Sequence, residues 1–151
     1  RKSDKYQWLK IKDEEMIFSK ATDYSILIMG YLSSLTSDVL ASKVQISENL
    51  DLPRAFVSKL LQQLHNAGLI HSVRGCSGGY KLTTSPENIT LKDVMEAIDG
   101  KLHMVECLSE HSEGCRRARL CNPVVKELMF IEEKINKNLD SLNFSQMKIT
   151  V

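Results

Sequence analysis

Apolar side chains near the start of the chain recur at the spacing of a helix. Over residues 20–34 and just beyond, they fall three or four positions apart, at Tyr24, Ile28, Tyr31 and Leu35. The stretch that follows, at Ser37 and Asp38, is polar. The pattern therefore predicts a buried first helix that ends before this stretch.

Two further helices are predicted, joined by a short turn. Ser42 can cap the first, because Gln45 stands three residues on at the spacing of a capping box, and this helix should end near Asn49. Pro53 suits the first turn of the next helix, and Gly68 suits the position just after its end at about residue 67. Its apolar stripe is Phe56, Val57, Leu60, Leu61 and Leu64.

The opposite face of this third helix carries polar and small side chains. They are Arg54, Ala55, Ser58, Lys59, Gln62 and Gln63. In a helix-turn-helix the second helix lies in the major groove, where Arg and Lys reach guanine or phosphate and Gln pairs with adenine. Helices joined in this way also occur in bundles that bind no DNA, so the face alone does not decide the function.

A glycine-rich hairpin after the third helix favours DNA binding. Short strands are predicted at 69–73 and 80–82, and Gly75, Gly78 and Gly79 between them allow a tight tip. Arg74 can enter the minor groove, and Gly78 and Tyr80 complete the predicted DNA-contacting set. The fold class predicted is mainly α with a small β wing, that is, a winged helix-turn-helix domain over residues 16–100.

The C-terminal third predicts a dimerisation element. Thr90 can cap a helix over 91–98 that Gly100 ends, and the segment 101–122 is expected to be a loop. Pro123 is expected to open a long helix, so that 123–151 form a dimerisation helix and tail. Its apolar residues recur every three or four positions at Val124, Leu128, Ile131, Ile135, Leu139 and Leu142. A compact winged helix leaves this stripe no partner, which predicts burial against the same helix of a second subunit.

Composition limits the classes of protein to consider. The chain has 151 residues and a formal net charge of +1, so its charge alone supports nucleic-acid binding only weakly. We expect no membrane segment, no export signal and a cytoplasmic location. Residues 1–15 are charged and are interpreted as an N-terminal extension or a remnant of cloning.

Three of the four cysteines cluster in the predicted loop. Seven residues separate Cys107 from Cys115, and five separate Cys115 from Cys121. Three thiolates on one loop can hold an iron–sulfur cluster, whereas a zinc ribbon uses paired knuckles with two intervening residues. Reduced, unligated cysteines and a zinc site are the alternatives. Cys76, in the wing tip, is interpreted as a small residue or a second redox site.

Three stretches of the sequence resemble the Rrf2 family of bacterial regulators, which includes IscR, NsrR, RirA and CymR. They are 20–24 (KATDY), 64–70 (LHNAGLI) and 74–82 (RGCSGGYKL), with 90–94 (TLKDV) downstream. The resemblance covers Met16 to about Leu142. It implies a homodimer that binds double-stranded DNA at a palindromic operator.

The resemblance also implies a cofactor and a ligand set. Members that sense through a cluster carry three cysteines in this loop, and the spacing here is most similar to RirA. IscR-like members use a His shortly after the third cysteine, where Val124 stands in this chain, whereas NsrR-like members use the Asp of a Thr-Asp pair in the other subunit, which Thr22-Asp23 matches. The expected site is therefore Cys107, Cys115, Cys121 and Asp23 holding a 4Fe–4S cluster in preference to 2Fe–2S.

The alternatives to this ligand set remain open. Asp23 can be an ordinary acid at a helix N-terminus, and His111 or His103 can be a rival ligand. Three arginines follow the second cysteine and either offset the cluster's charge or form a solvated basic surface: Arg116, Arg117 and Arg119.

The sequence predicts a transcription regulator, most readily a repressor, whose operator affinity responds to nitric oxide, iron or redox state through the cluster. The alternative is a clusterless, CymR-like regulator controlled by a protein partner. We find no catalytic arrangement of side chains, and the glycines at 75–79 lie between strands rather than before a helix, so an enzyme is not expected.

Overall fold

The structure, a computed structural model, describes residues 18–104 and 118–151, and of residues 118–122 the backbone alone. Its helices are α1 (Lys20–Ser34), α2 (Lys43–Asn49), α3 (Arg54–Asn66), α4 (Leu91–Asp99) and α5 (Ala118–Ser141). Its strands are β1 (Ile70–Val73) and β2 (Gly79–Leu82), which lie between α3 and α4. The winged-helix fold class predicted from the sequence is confirmed.

Helix α1 is the central element of the core, as its apolar spacing predicts. Ser19 caps it by accepting a hydrogen bond from the Thr22 backbone N–H at 3.1 Å. Ile28 and Met29 are fully buried, and α1 contacts α3, α4 and β2. The predicted bounds of this helix, 20–34, agree with those observed.

The connection between α2 and α3 is built from local contacts that the sequence indicates. The Ser42 hydroxyl accepts from the Gln45 backbone N–H at 3.2 Å, and the Gln45 side chain accepts from the Ser42 N–H at 2.8 Å, so the capping box is confirmed. At the turn, Asp51 adopts a left-handed φ of 52°, and the Ser47 hydroxyl donates to the Leu52 carbonyl at 2.5 Å. These bonds fix the angle at which α3 leaves α2.

The wing is an antiparallel hairpin with a third strand position supplied by Ala41. Strand β1 pairs with β2 in the register Ile70 to Leu82, and Ala41 and Tyr80 exchange hydrogen bonds of 3.0 and 2.8 Å. A Cβ on Gly79 would lie 2.8 Å from the Ala41 backbone, so only glycine permits this approach. The hairpin is thereby anchored to the residue that precedes the Ser42 cap.

Helix α5 begins earlier than predicted. Pro123 lies inside it rather than at its start, and residues 118–122, expected to be loop, are helical. Pro123 falls in the second turn, where its missing N–H removes a single bond to the carbonyl of residue 119. The prediction that Pro123 opens the helix was therefore wrong, and the backbone of Cys121 belongs to α5.

The tail after α5 returns to the winged-helix core, which the sequence analysis did not foresee. Phe144 is fully buried in that core, and its N–H donates to the Ile89 carbonyl at 3.1 Å. The Ile149 N–H donates to the Gly30 carbonyl at 3.0 Å, and a Cβ on Gly30 would lie 2.7 Å from the Met147 carbonyl oxygen. Residues 143–149 thus pack back onto the winged-helix domain, with Phe144 in its core.

The end of α5 is held by the same domain. Leu139 is 9% exposed, and α5 contacts α4. The expectation that the whole apolar stripe of this helix lacks a partner within the chain was wrong for this C-terminal part. No helix in the described ranges is long and apolar enough to cross a membrane.

Candidate nucleic-acid interface

Helix α3 has one buried face and one exposed polar face. Its apolar residues Val57, Leu60, Leu61 and Leu64 are at most 1% exposed and pack into the core. Four of the residues predicted to contact DNA are exposed: Arg54, Ala55, Lys59 and Gln62. The core therefore fixes the orientation of this face and leaves it open to solvent.

Two other predicted contacts on α3 are only half-exposed. Ser58 and Gln63 lie at the border between the two faces. The Gln63 Oε1 atom is buried without a hydrogen-bond donor among the described residues. These two side chains are less accessible to DNA than their four neighbours.

Ion pairs and hydrogen bonds hold two of the exposed side chains in place. The Arg54 guanidinium donates to Glu48 Oε1 at 2.9 Å, with both side chains more than half exposed. The Gln62 amide donates to Asn66 Oδ1 at 2.9 Å. Exposed pairs of this kind contribute little to stability, so DNA can displace them at low cost.

The wing and the start of α2 form the second part of the interface. Arg74 is exposed beside Gly75, which has a φ of 122° that a side chain would rarely adopt. A cleft of about 390 Å³ between the wing and α2 is lined by Ser42, Lys43, Arg74, Gly78 and Tyr80, among others. Tyr80 is half-buried in β2, where it pairs with Ser72 of β1.

Lys43 is a candidate contact that the sequence analysis missed. It is exposed and shares the wing cleft with Arg74. In a helix-turn-helix the first helix crosses the DNA backbone, so a lysine at its start suits a phosphate. Its place directly after the Ser42 cap is the signal that would have identified it.

The N-terminus of α1 carries Asp23, the predicted carboxylate ligand. Asp23 is exposed in the first turn and forms no side-chain hydrogen bond or ion pair with any described residue. Its neighbour Thr22 is fully buried and donates to Asp99 Oδ2 at 2.7 Å. The backbone at this end of α1 is therefore held in place. The Asp23 carboxylate has no hydrogen-bond or ion-pair partner among the described residues.

Asp99 joins this end of α1 to the end of α4. The Ser19 hydroxyl and N–H donate to its carboxylate at 2.6 and 3.2 Å. Burial alone would raise the pKa of Asp99, but the hydrogen bonds from Ser19 and Thr22 outweigh it and lower the pKa below its ordinary value. The ionised carboxylate therefore holds α1 against the residues that lead into the cysteine segment.

The cysteine segment lies mostly outside the described residues. Cys107, Cys115, His111, Arg116 and Arg117 fall there, and of Cys121 and Arg119 only the backbone is described, in α5. Cys76 is exposed in the wing. No group of three metal-binding side chains occurs within the described ranges, which exclude the predicted thiolates.

The residues just before this segment are attached to α5. The Met104 N–H donates to Glu132 Oε2 at 3.0 Å, and His103 Nδ1 lies 3.4 Å from Glu132 Oε1. The second contact does not have the geometry of a hydrogen bond, so His103 Nδ1 has no hydrogen-bond partner among the described residues. Glu132 therefore ties the end of the winged-helix domain to the middle of α5.

Helix α5 leaves several large apolar side chains exposed. Val124, Met129, Phe130 and Ile131 are 60%, 54%, 54% and 42% exposed. Val124 and Ile131 are seven residues apart and share one face of α5, and an exposed apolar patch typically marks an interaction site. The exposed residues include two of the stripe from which a dimer interface was predicted.

Comparison with known proteins agrees with this arrangement. A sequence profile of the Rrf2 family, described as iron-dependent transcriptional regulators, matches residues 18–148. The HTH-type transcriptional regulator NsrR of Halalkalibacterium halodurans is 27% identical over 133 residues, which is 88% of each chain.

Solved structures of similar fold include two regulators named CymR. The B. subtilis protein, described as the global cysteine regulator, gives a TM-score of 0.68 at 26% identity, covering 87% of this chain and 95% of that one. The Staphylococcus aureus protein gives a TM-score of 0.65 at 27% identity, covering 88% of this chain and 98% of that one. T. potens IscR, at 23% identity and a TM-score of 0.64, covers 90% and 88% and supports the fold alone.

The family resemblance stated from the sequence is confirmed, and these named relatives are regulators rather than enzymes. The polar face of α3, the wing beside it and the profile match over most of the chain lead to one conclusion. The chain belongs to the Rrf2 family and is a DNA-binding transcription regulator with a winged helix-turn-helix.

Proposed function

We propose that this chain is a homodimeric repressor that binds a palindromic operator and whose affinity is set by an iron–sulfur cluster. The observation that carries the DNA-reading part is the exposed polar face of α3 opposite the buried side chains of Val57, Leu60, Leu61 and Leu64. Such a helix can enter the major groove without loss of core packing.

Each exposed side chain has a role in this proposal. Arg54 and Gln62 suit base edges, because both carry paired hydrogen-bonding groups on the open face of α3. Lys43, Lys59 and Arg74 suit phosphates or the minor groove beside the wing. Ala55 and Ser58 are small and allow a close approach of the helix. Gly78 and Tyr80 would shape the wing against the backbone of the DNA.

The dimer would form through α5. Exposed Val124 and Ile131, seven residues apart and so on one face of α5, would be buried against the same helix of a second copy. An isologous contact of this kind relates the two α3 helices by a twofold axis, which matches the symmetry of a palindrome.

The proposed cluster ligands are Cys107, Cys115 and Cys121 with Asp23 of the partner subunit, and the cluster proposed is 4Fe–4S rather than 2Fe–2S. Three thiolates and a carboxylate are donors that iron accepts. Asp23 fits the role because it is exposed, lies on a helix end fixed by Ser19, Thr22 and Asp99, and has no described partner. Bound there, the cluster would supply a labile link that nitric oxide, iron loss or oxidation can break.

The protein would respond through the elements attached to those ligands. Cys121 belongs to α5, and Asp23 belongs to α1 of the winged-helix core. If Cys121 and Asp23 were released from the cluster, α5 of one subunit would no longer be linked to the winged-helix domain of the other. The spacing of the two α3 helices would then change. The Thr22-Asp23 pair favours nitric oxide as the signal, whereas the cysteine spacing favours iron.

Purification without oxygen tests the cluster. The expected result is a brown protein that absorbs near 400 nm, contains iron and sulfide, and loses both colour and operator binding on exposure to nitric oxide. Cys115→Ala should remove the colour, and Cys76→Ala, the matched control in the wing, should retain it. A colourless anaerobic preparation without iron would refute the cluster and leave DNA binding untouched.

A clusterless regulator controlled by a protein partner is the second candidate. The similarity to two CymR structures favours it. In that case the anaerobic protein is colourless, Cys115→Ala has no effect on DNA binding, and a purified partner shifts the affinity for the operator. Colour and iron content therefore separate the two candidates.

A further inference from the structure

The base of the wing and the end of α1 enclose a cleft. Its volume is about 360 Å³, within the range of small-molecule sites. One wall is the end of α1 with the loop at 35–39, and the other is the end of β2 with residues 83–86. Neither the proposed cluster nor the polar face of α3 uses it.

The lining combines an apolar floor with one charge. Leu32, Leu35 and Leu82 contribute apolar surface, and Thr36 and Thr83 contribute hydroxyls. Among the described residues that line the cleft, Lys81 alone is charged, and it forms no ion pair within the described ranges. An unpaired ammonium above an apolar floor is complementary to an anion with an apolar body.

We propose that this cleft binds a small aliphatic carboxylate, with the Lys81 ammonium donating to the carboxylate and the leucines covering the alkyl part. Free phosphate fits less well, because a doubly charged anion would meet one cation and an apolar floor. The hydroxyls of Thr36 and Thr83 can complete the hydrogen bonds of the carboxylate oxygens. The proposal is independent of the cluster and of its ligands.

A ligand in the cleft would affect the position of the wing and of α2 through two connections. The loop at 35–39 leads directly to Ala41, whose backbone bonds to Tyr80 hold the wing. Lys81 is the next residue of the same strand and pairs with His71. A ligand that joins Lys81 to this loop would therefore fix the wing relative to the start of α2.

Titration of the full chain with isovalerate, followed by amide resonances in NMR, tests the proposal. A ligand this small binds at best in about the millimolar range. Saturable shifts are expected at residues 35–39 and 81–86 and at the Ala41 and Tyr80 amides. Isovaleramide, which has the same shape without the charge, and inorganic phosphate should each bind at least tenfold more weakly.

Variants separate the site from a general effect of charge. Lys81→Met should weaken isovalerate at least tenfold, and Lys126→Met, which removes an exposed lysine from α5, should not. Ser37→Trp, which fills the cleft from its rim, should also abolish the shifts. Equal binding of acid and amide, stronger binding of phosphate, or no saturable shift in a protein that is folded by circular dichroism would overturn the proposal.

Discussion

Helices α1 and α5 both carry long apolar stripes, but the rest of the chain buries more of the stripe of α1 than of the stripe of α5. In α1, Ile28 and Tyr31 are 0% and 7% exposed, whereas in α5 Val124 and Ile131 are 60% and 42% exposed. The sequence periodicity of the two helices is alike. The spacing of apolar residues along the sequence thus identifies an apolar face of a helix. Whether the same chain or a second molecule covers that face depends on how the whole chain packs.

Within α5 the same contrast recurs between its two ends. Leu139 is 9% exposed and the helix contacts α4, whereas Val124 near the other end is 60% exposed. The C-terminal end thus belongs to the winged-helix core. The predicted dimer interface is accordingly limited to the exposed part of the helix.

The largest effect on stability is expected from a substitution at a buried position of α1. Ile28→Ala removes a fully buried side chain and should lower the free energy of unfolding by about 2–5 kcal/mol. Ile26→Ala, at a half-buried position of the same helix, should cost less. Urea unfolding followed by circular dichroism measures both. Equal losses would mean that α1 is not oriented as described.

On the α5 side, a change at an exposed apolar position should affect assembly and leave folding intact. Ile131→Glu places a charge in the proposed interface and should weaken dimerisation by about 2–4 kcal/mol, the range of interface hot spots. Lys137→Glu, on the same helix, is the control. Sedimentation measures the dimer, and an unchanged association constant for Ile131→Glu would contradict the interface.

A smaller effect is expected where α1 is joined to α4. Asp99→Asn weakens the hydrogen bonds from Ser19 and Thr22 and should cost about 1 kcal/mol at neutral pH, a value kept small because the carboxylate is exposed.

The pH dependence of that variant has a definite sign. The pKa of Asp99 is lower in the folded chain than in the unfolded one, so its contribution is present above the unfolded pKa of about 4 and is lost as pH falls through the folded pKa. Urea midpoints at pH 7 and pH 3 should therefore differ more for the native chain than for Asp99→Asn. Parallel changes would refute this role.

The smallest effect is expected at the edge of the DNA interface. Lys43→Ala should weaken binding to all DNA sequences alike and lower the slope of log affinity against log salt by about 0.9, the value for one phosphate contact. Lys126→Ala serves as the control on α5. A change in base preference, or an unchanged salt slope, would show that Lys43 does not contact a phosphate.

Local signals in the sequence predicted the elements well where local bonds determine them. The capping boxes at Ser42 and Thr90 are present, and Gly68 and Gly100, with φ of 75° and 83°, end α3 and α4 as expected. These features depend on residues only three or four positions apart. The positions of Arg54 and Lys59 on the open face of α3 follow from the same helical period.

Contacts between distant residues were not predicted. Phe144 follows Leu142 as one more apolar residue after a helix, and nothing local indicates that its backbone bonds to Ile89. The Ala41 bridge to Tyr80 is equally non-local. Pro123 was predicted to begin the helix because proline is common at helix starts. It lies in the second turn of α5, where the loss of one backbone hydrogen bond is tolerated. The predicted ligand set of the cysteine segment stays a prediction.

The return of residues 143–149 to the core also determines how α5 can move. Because Leu142 and Phe144 are bonded to residues 89–91, a change in the direction of α5 must pivot at its C-terminal end. The helix has 24 residues and so is about 36 Å long. A rotation of about 10° at that pivot would displace the opposite end by about 6 Å. The helix is thus a lever in which a small movement at the core corresponds to a large one at its N-terminal end, which contains Cys121.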